Sequence, residues 1–123
     1  MMSKRSVLVI ARPSPLRDSL TTLLTTMPRV ATVRHADDAA AAYHLADVLR
    51  PSIVVLDAGL PGGDAWTLLR NIKSRWPHIV CVMLTDTTVS RKRAEAAGAT
   101  CAILKGYPAA KLSRILEQLL VRV

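Results

Sequence analysis

The chain has 123 residues, and its 17 Lys and Arg against 9 Asp and Glu leave a formal net charge of +8. Half of the residues are hydrophobic and 21% are charged, enough apolar material for one continuous core, which excludes disorder as the main state. No apolar stretch approaches the roughly 18 residues of a transmembrane span, and Val7 to Ala11 is too short for the core of a signal peptide, so the chain reads as cytoplasmic with no membrane partner.

Two kinds of apolar pattern alternate along it. Val7 to Ala11 (VLVIA) is a continuous run rich in β-branched residues that suits a strand buried on both faces. From Ser14 to Met27 the period changes: Leu16, Leu20, Leu23, Leu24 and Met27 recur at helical spacing, with Ser14 as N-cap and Pro15 at the first helical position. Val30 to Arg34 is a weaker strand, after which Asp37 or Asp38 caps an alanine-rich helix that runs to Leu49 and is stopped by Pro51. Ile53 to Leu56 (IVVL) is the most apolar strand and ends at Asp57 and the turn-forming Gly59, Pro61 and Gly62. A third helix starts near Asp64, carries Trp66, Leu68, Leu69 and Ile72, and closes before Pro77. Ile79 to Leu84 makes a fourth strand, Val89 to Ala97 a short basic helix with Gly98 just past its end, and Cys101 to Leu104 a fifth strand. Pro108 opens the last helix, which sets Leu112, Ile115, Leu116, Leu119 and Leu120 on one face.

Five strands and five helices in strict alternation predict an α/β fold, an open parallel sheet with helices on both faces, because right-handed crossovers leave few other packings. Ligands of such folds bind outside the carboxyl ends of the strands. The residues there are Ala11, Arg12 and Pro13; Asp57 and Ala58; Thr85 and Asp86; and Lys105 and Gly106. Asp57, Thr85 and Lys105 bring a carboxylate, a hydroxyl and an ammonium toward one oxygen-rich group. A carboxylate attacks phosphorus, a hydroxyl donates to a phosphoryl oxygen, and an ammonium neutralises developing charge. Singly, each has a plainer use as a turn acceptor, a β-branched strand end or a solvated cation. Together at the binding edge they suggest phosphoryl chemistry.

With these residues the chain resembles the receiver domain of bacterial two-component response regulators (CheY-like), from about Ser6 to Leu120. The most specific stretch is IVVLDAGLPGGD, in which Asp57 falls on the phosphoacceptor aspartate and Pro61 on the proline that follows it. Thr85 in VMLTD falls on the hydroxyl position that senses the phosphoryl group, Lys105 in AILKG on the family's lysine, and Gly98 with Ala99 on the small-residue turn before the last strand. The resemblance implies a three-layer, doubly wound fold of sheet order 2-1-3-4-5, with one receiver domain over residues 1–123. It also implies phosphorylation by a histidine kinase or other phosphodonor, and no enzymatic activity beyond the domain's own phosphoryl transfer. The face made by the fourth helix, fifth strand and fifth helix is then the one that repacks and through which two copies pair.

The departures from the family pattern carry their own expectations. Members usually place two acidic residues directly after the first strand, where they hold a magnesium ion, and here stand Ala11 and Arg12. A methyl and a guanidinium in place of two carboxylates remove ligands and add repulsion, so magnesium binding is expected to be weak or absent, and no other cofactor is implied. Arg12 is expected to pair with Asp57 or to cradle a phosphoryl group in the metal's place. Ala102, three residues before Lys105, stands where the family usually has Tyr or Phe, so the aromatic readout behind Thr85 is missing. The stretch from Thr85 to Gly98 is short for the family, and Gly63 and Ala65 replace the hydrophobic residue and glycine expected after Pro61. Both point to a truncated or displaced fourth helix.

Arg91, Lys92 and Arg93 on the fourth helix, with Lys111, Arg114 and Arg122 on the fifth, make a basic face that is either solvated or a docking surface for an acidic partner or a second copy. Direct nucleic-acid binding is not expected, because no aromatic residues interleave for base stacking. Cys81 and Cys101 lie in apolar runs and read as buried free thiols. His35, His44 and His78 are scattered over unrelated elements, which argues against a metal cluster or a phosphohistidine relay, and Trp66 and Trp76 read as cover for the sheet. A dinucleotide-binding enzyme is excluded because RPSPLR has no glycine, and a phosphatase of the haloacid dehalogenase type because Gly59 stands where its second Asp belongs. The alternative that survives is a phosphorylation-independent receiver-like scaffold for dimerisation or docking, including as the front part of a DNA-binding transcriptional regulator. An end at Val123, soon after the last helix, fits a whole protein or a fragment.

Overall fold

The alternation of apolar patterns in the sequence is the alternation of elements in the fold. The computed structural model describes residues 5–61 and 64–123 and contains β1 (Arg5–Ile10), α1 (Pro15–Thr25), β2 (Val30–Ala36), α2 (Ala39–Leu49), β3 (Ile53–Asp57), α3 (Asp64–Arg75), β4 (Val80–Thr85), α4 (Thr88–Ala96), β5 (Cys101–Leu104) and α5 (Ala109–Arg122). The strands form one parallel sheet in the order β2-β1-β3-β4-β5. Gly62 and Gly63, named in the turn before α3, lie outside the described residues.

Side chains that alternate along each central strand feed two separate cores, one on each face of the sheet. Leu8, Ile10, Val54, Leu56, Cys81 and Met83 pack with α2, α3 and Ala94 of α4, while Val7, Val9, Ile53, Val55, Val82, Leu84 and Ile103 pack with α1 and α5. Trp76 is buried in the first core and Trp66 lies partly buried against it, so both cover the sheet as expected. Each fully buried Leu or Ile of this kind contributes on the order of 1.5 to 3 kcal/mol from the area it removes from water. The polar strand ends thus sit at one rim of a rigid aliphatic slab.

Element boundaries depart from the sequence reading wherever hydrogen bonding outlasts the apolar run. β2 continues through His35 and Ala36 because both pair with β1, at Val9 and Ile10. β3 includes Asp57, which pairs opposite Leu84 of β4. Asp38, not Asp37, caps α2 by accepting the Ala41 N–H at 2.8 Å. The helix ends on Arg50, whose φ of 49° is the one left-handed non-glycine conformation among the described residues. α4 begins at Thr88 because Thr87 caps it, its hydroxyl accepting the Ser90 N–H at 3.1 Å. At nine residues it is the shortest of the five described α-helices, and Gly98, at φ +103°, closes it with two hydrogen bonds: Gly98 N–H to the Glu95 carbonyl and Ala99 N–H to the Ala94 carbonyl.

Only one of the two thiols is buried as expected. Cys81 of β4 is buried in the first core, and that burial pushes its pKa up to about 11. Cys101 is half-buried on β5, an edge strand of the sheet among the described residues, and lines a groove with Thr100, Ile115 and Gln118.

Candidate functional site

Strand register brings the three chemistry-bearing residues together. Asp57 pairs opposite Leu84 and Thr85 opposite Leu104, so Asp57, Thr85 and Lys105 step across the rim from β3 to β4 to the residue that follows β5. The ladder continues past the strand ends, with the Ala58 N–H donating to the Leu84 carbonyl and the Lys105 N–H to the Thr85 carbonyl, both at 2.9 Å. These main-chain bonds fix where the side chains start.

Asp57 Oδ1 is gripped from two sides. The Gly59 N–H donates to it at 2.8 Å, and the Lys105 Nζ lies 2.7 Å away. Both side chains are largely covered, Asp57 at 18% exposure and Lys105 at 23%. The described hydrogen bonds and ion pairs of this carboxylate all use Oδ1. Gly59 allows the grip: a Cβ there would stand 3.2 Å from Asp57 Oδ1 and 3.4 Å from Lys105 Nζ. Burial alone would lower the pKa of Lys105, but its hydrogen bond to Asp57 and the charges of Asp57 and Asp86 outweigh that and hold it above the ordinary lysine value. Asp86 takes part directly, its Oδ1 lying 3.3 Å from the same ammonium while its side chain is 67% exposed.

Thr85 is completely buried, and its hydroxyl donates to the Ile103 carbonyl on β5 at 3.1 Å. Ala102, at the position expected to lack a ring, is half-buried against the core that holds Met83. Arg12 is exposed. The ion pair with Asp57 anticipated for it is made instead by Lys105, which reaches Oδ1 from the β5 side. A different arginine closes the first loop. Arg17 donates to the Ala11 carbonyl at 3.1 Å and pairs with Asp37, tying the turn after β1 to the turn after β2.

The rim does not fit the magnesium ion that the sequence resemblance brings to mind. Ala11 offers a buried methyl, Arg12 a cation, and Oδ1 of Asp57 already carries an ammonium and an N–H. Among the described residues no group of three or more His, Cys, Asp or Glu is placed to hold a metal. His35, His44 and His78 belong to no such group, and the partly buried His35 contacts the Thr21 hydroxyl at 2.5 Å.

The model of the response regulator receiver domain matches residues 7–117. The chain belongs to this family. The chain is 32% identical over 103 residues to the DNA-binding transcriptional activator DevR/DosR of Mycobacterium tuberculosis, covering 82% of this chain and 48% of that protein. It is 36% identical over 77 residues to protein-glutamate methylesterase/protein-glutamine glutaminase 3 of Myxococcus xanthus, covering 63% of this chain and 22% of that one. This receiver domain therefore spans about half the length of the first relative, at 48%, and a smaller part of the second. The receiver domain of NtrX from Brucella abortus has the same fold, with a TM-score of 0.83 at 28% identity over 95% of this chain and 99% of that one. The (βα)5 architecture and the 2-1-3-4-5 sheet are those of a two-component response-regulator receiver domain.

The basic face of this receiver domain is less free than its sequence implied. Arg91 donates to the Tyr107 hydroxyl at 3.0 Å and lies 3.9 Å from Glu95, Arg93 stacks 4.0 Å from the Trp66 ring centre, and Lys111 sits 3.9 Å above the Tyr107 ring. Lys92 and Arg114 are exposed, with no ion pair among the described residues. Tyr107 joins α4 to α5 through these contacts and was not singled out in the sequence. The one signal for it is its place two residues after Lys105 in KGYP. Among the described residues no helix is long and apolar enough to cross a membrane.

Proposed function

We propose that Asp57 is the phosphoacceptor of this receiver domain and that it works without a resident metal ion. The observation that supports this most directly is the one-sided grip on Asp57: Oδ1 is held by the Gly59 N–H and the Lys105 ammonium, which leaves Oδ2 as the attacking atom. With acetyl phosphate as donor, a carboxylate oxygen of Asp57 forms a bond to phosphorus, the bond from phosphorus to the acetyl oxygen breaks, and acetate leaves with the electron pair. With a kinase phosphohistidine the broken bond is P–N, and the imidazole nitrogen takes the electron pair. Lys105 balances charge on the phosphoryl oxygens, and Thr85 must turn its hydroxyl from the Ile103 carbonyl to donate to them. Arg12, exposed on the neighbouring loop, supplies a second cation for the phosphoryl group.

The physiological donor is a histidine kinase, the domain performs no catalysis beyond its own phosphorylation, and the protein acts in the cytoplasm. The α4–β5–α5 face, on which Lys92, Arg114 and Arg122 are exposed with no ion pair among the described residues, is the surface that pairs with a second copy or docks a partner. The similarity to DevR/DosR makes a DNA-binding output in a longer parent protein the reading we adopt for the signal's destination.

Intact mass after incubation with acetyl phosphate tests the central point. One phosphoryl adduct on the natural chain, absent from Asp57→Asn and formed equally with and without magnesium, is expected. No adduct from either acetyl phosphate or a phosphorylated kinase domain would overturn the acceptor reading in favour of a phosphorylation-independent scaffold.

A further inference from the structure

Asp86 reaches the same ammonium that holds the acceptor: Lys105 Nζ lies 2.7 Å from Asp57 Oδ1 and 3.3 Å from Asp86 Oδ1. An ammonium has three N–H donors, and two of these are now directed at carboxylates. The two acids differ in position. Asp57 is 18% exposed and Asp86 67%, so Asp86 stands on the solvent side of the Asp57–Lys105 pair.

We propose that Asp86 is a positioning residue that divides Lys105 between two carboxylates and thereby restrains the entry of a phosphoryl group at Asp57. Its consequence rests on the acceptor reading given above. Before transfer, Asp57, Asp86 and Lys105 sum to one negative charge, and an incoming phosphoryl group adds more at the same point. With Ala11 and Arg12 after β1, no ligand set for a divalent cation stands among the described residues to absorb it. Lys105 is then the one cation in contact with Asp57 among the described residues, and Asp86 both shares it and repels the newcomer. Because Asp86 is exposed, its effect is screened by salt, whereas the half-buried Asp57–Lys105 contact is screened less.

The test uses the whole chain and the variants Asp86→Asn and Asp86→Glu, with circular dichroism to confirm folding. Phosphoryl transfer from acetyl phosphate without magnesium is followed by intact mass at about 20 mM and about 300 mM NaCl. Asp86→Asn is expected to accept about threefold to tenfold faster at low salt, with the gap narrowing at high salt, and Asp86→Glu to stay near the natural rate. A slower rate for Asp86→Asn would mean that Asp86 holds Lys105 in place for Asp57, an equal rate that Asp86 has no effect, and either would overturn the proposal. Binding of inorganic phosphate, read from amide shifts of Gly59 and Lys105, provides a measurement that needs no transfer. Tighter phosphate binding by Asp86→Asn with no adduct on either protein would retire the acceptor reading and keep the restraint. Equal affinities, or no phosphate binding by either protein, would overturn it.

Discussion

Replacing Ala11 and Arg12 with acids should give this domain a magnesium site beside Asp57. Ala11 is 2% exposed, donates its N–H to the Ala36 carbonyl at 3.0 Å, and follows Ile10, which pairs opposite Leu56. A carboxylate at 11 would therefore stand on the strand beside Asp57, and Arg12→Asp would add a second at an exposed position. Without a cation, burying the new charge should destabilise the fold by about 2 kcal/mol. With magnesium at about ten times its dissociation constant, linkage returns RT ln 11, about 1.4 kcal/mol. At about 2.1 cal/mol/K per residue, a chain of this length converts that into a rise in Tm of about 5 °C. Thermal unfolding of the natural chain and of Ala11→Asp/Arg12→Asp, with magnesium chloride against sodium chloride of matched ionic strength, reads the difference. The natural chain should shift by less than about 1 °C and the double variant by about 5 °C. An equal rise in the two proteins, or none in the variant, would show that Ala11 and Arg12 do not govern metal binding and refute the reasoning.

Three further outcomes follow from single contacts. The folded-state pKa of Lys105 is raised, so its contribution to stability is complete below the ordinary lysine value of 10.5 and disappears as pH climbs through the folded value. Lys105→Met should cost about 1 kcal/mol by urea unfolding near neutrality, and a gap that fails to close at strongly alkaline pH would contradict the pairing. Burial, then Arg17, lowers the pKa of His35 below 6.5, so the unfolded chain takes up the proton first and stability is lost as pH falls below about that point. His35→Gln should flatten this acid limb, and an unchanged slope of urea midpoint against pH would assign it to other groups. In Gly59→Ala the new methyl would stand 3.2 Å from Asp57 Oδ1 and 3.4 Å from Lys105 Nζ. Acceptance from acetyl phosphate should slow by about tenfold with melting little changed, and equal rates would show that the space over Asp57 is not used.

Much of the fold was legible because this architecture writes itself in apolar patterns. The three central strands β1, β3 and β4 are covered on both faces, so Val7 to Ile10, Ile53 to Leu56 and Cys81 to Leu84 are continuous apolar runs, and the helices between them carry one apolar face each. Boundaries were less legible, since they are set by partners rather than composition: His35 and Ala36 belong to β2 because β1 is there to pair with them. The same distinction divides the site. Asp57, Thr85 and Lys105 could be placed because strand ends in a parallel sheet share one rim. The partners of the long side chains could not, because a guanidinium or ammonium reaches several places and sequence spacing does not choose among them. Hence Lys105, not Arg12, meets Asp57, and Arg17 ties the first loop to Asp37. Gly59 carried a usable signal, two residues past the aspartate in a turn, but its N–H as a grip on Oδ1 became visible only with the turn's geometry.

The excess of positive charge does not by itself prepare the rim for a phosphoryl group. A net +8 raises the concentration of anions around the protein, yet at physiological ionic strength each exposed charge is screened within about 8 Å. Much of the basic face is also spent internally, on Tyr107, Glu95 and Trp66. What an arriving phosphoryl group meets is therefore local: one ammonium in contact with Asp57, one exposed guanidinium at Arg12, and one opposing carboxylate at Asp86. A divalent cation would dominate such a balance, but no ligand set for one stands among the described residues. On the proposed reading, phosphorylation of Asp57 depends on how Lys105 is shared, and removing the one charge of Asp86 is expected to change it more than removing several charges on α4 or α5.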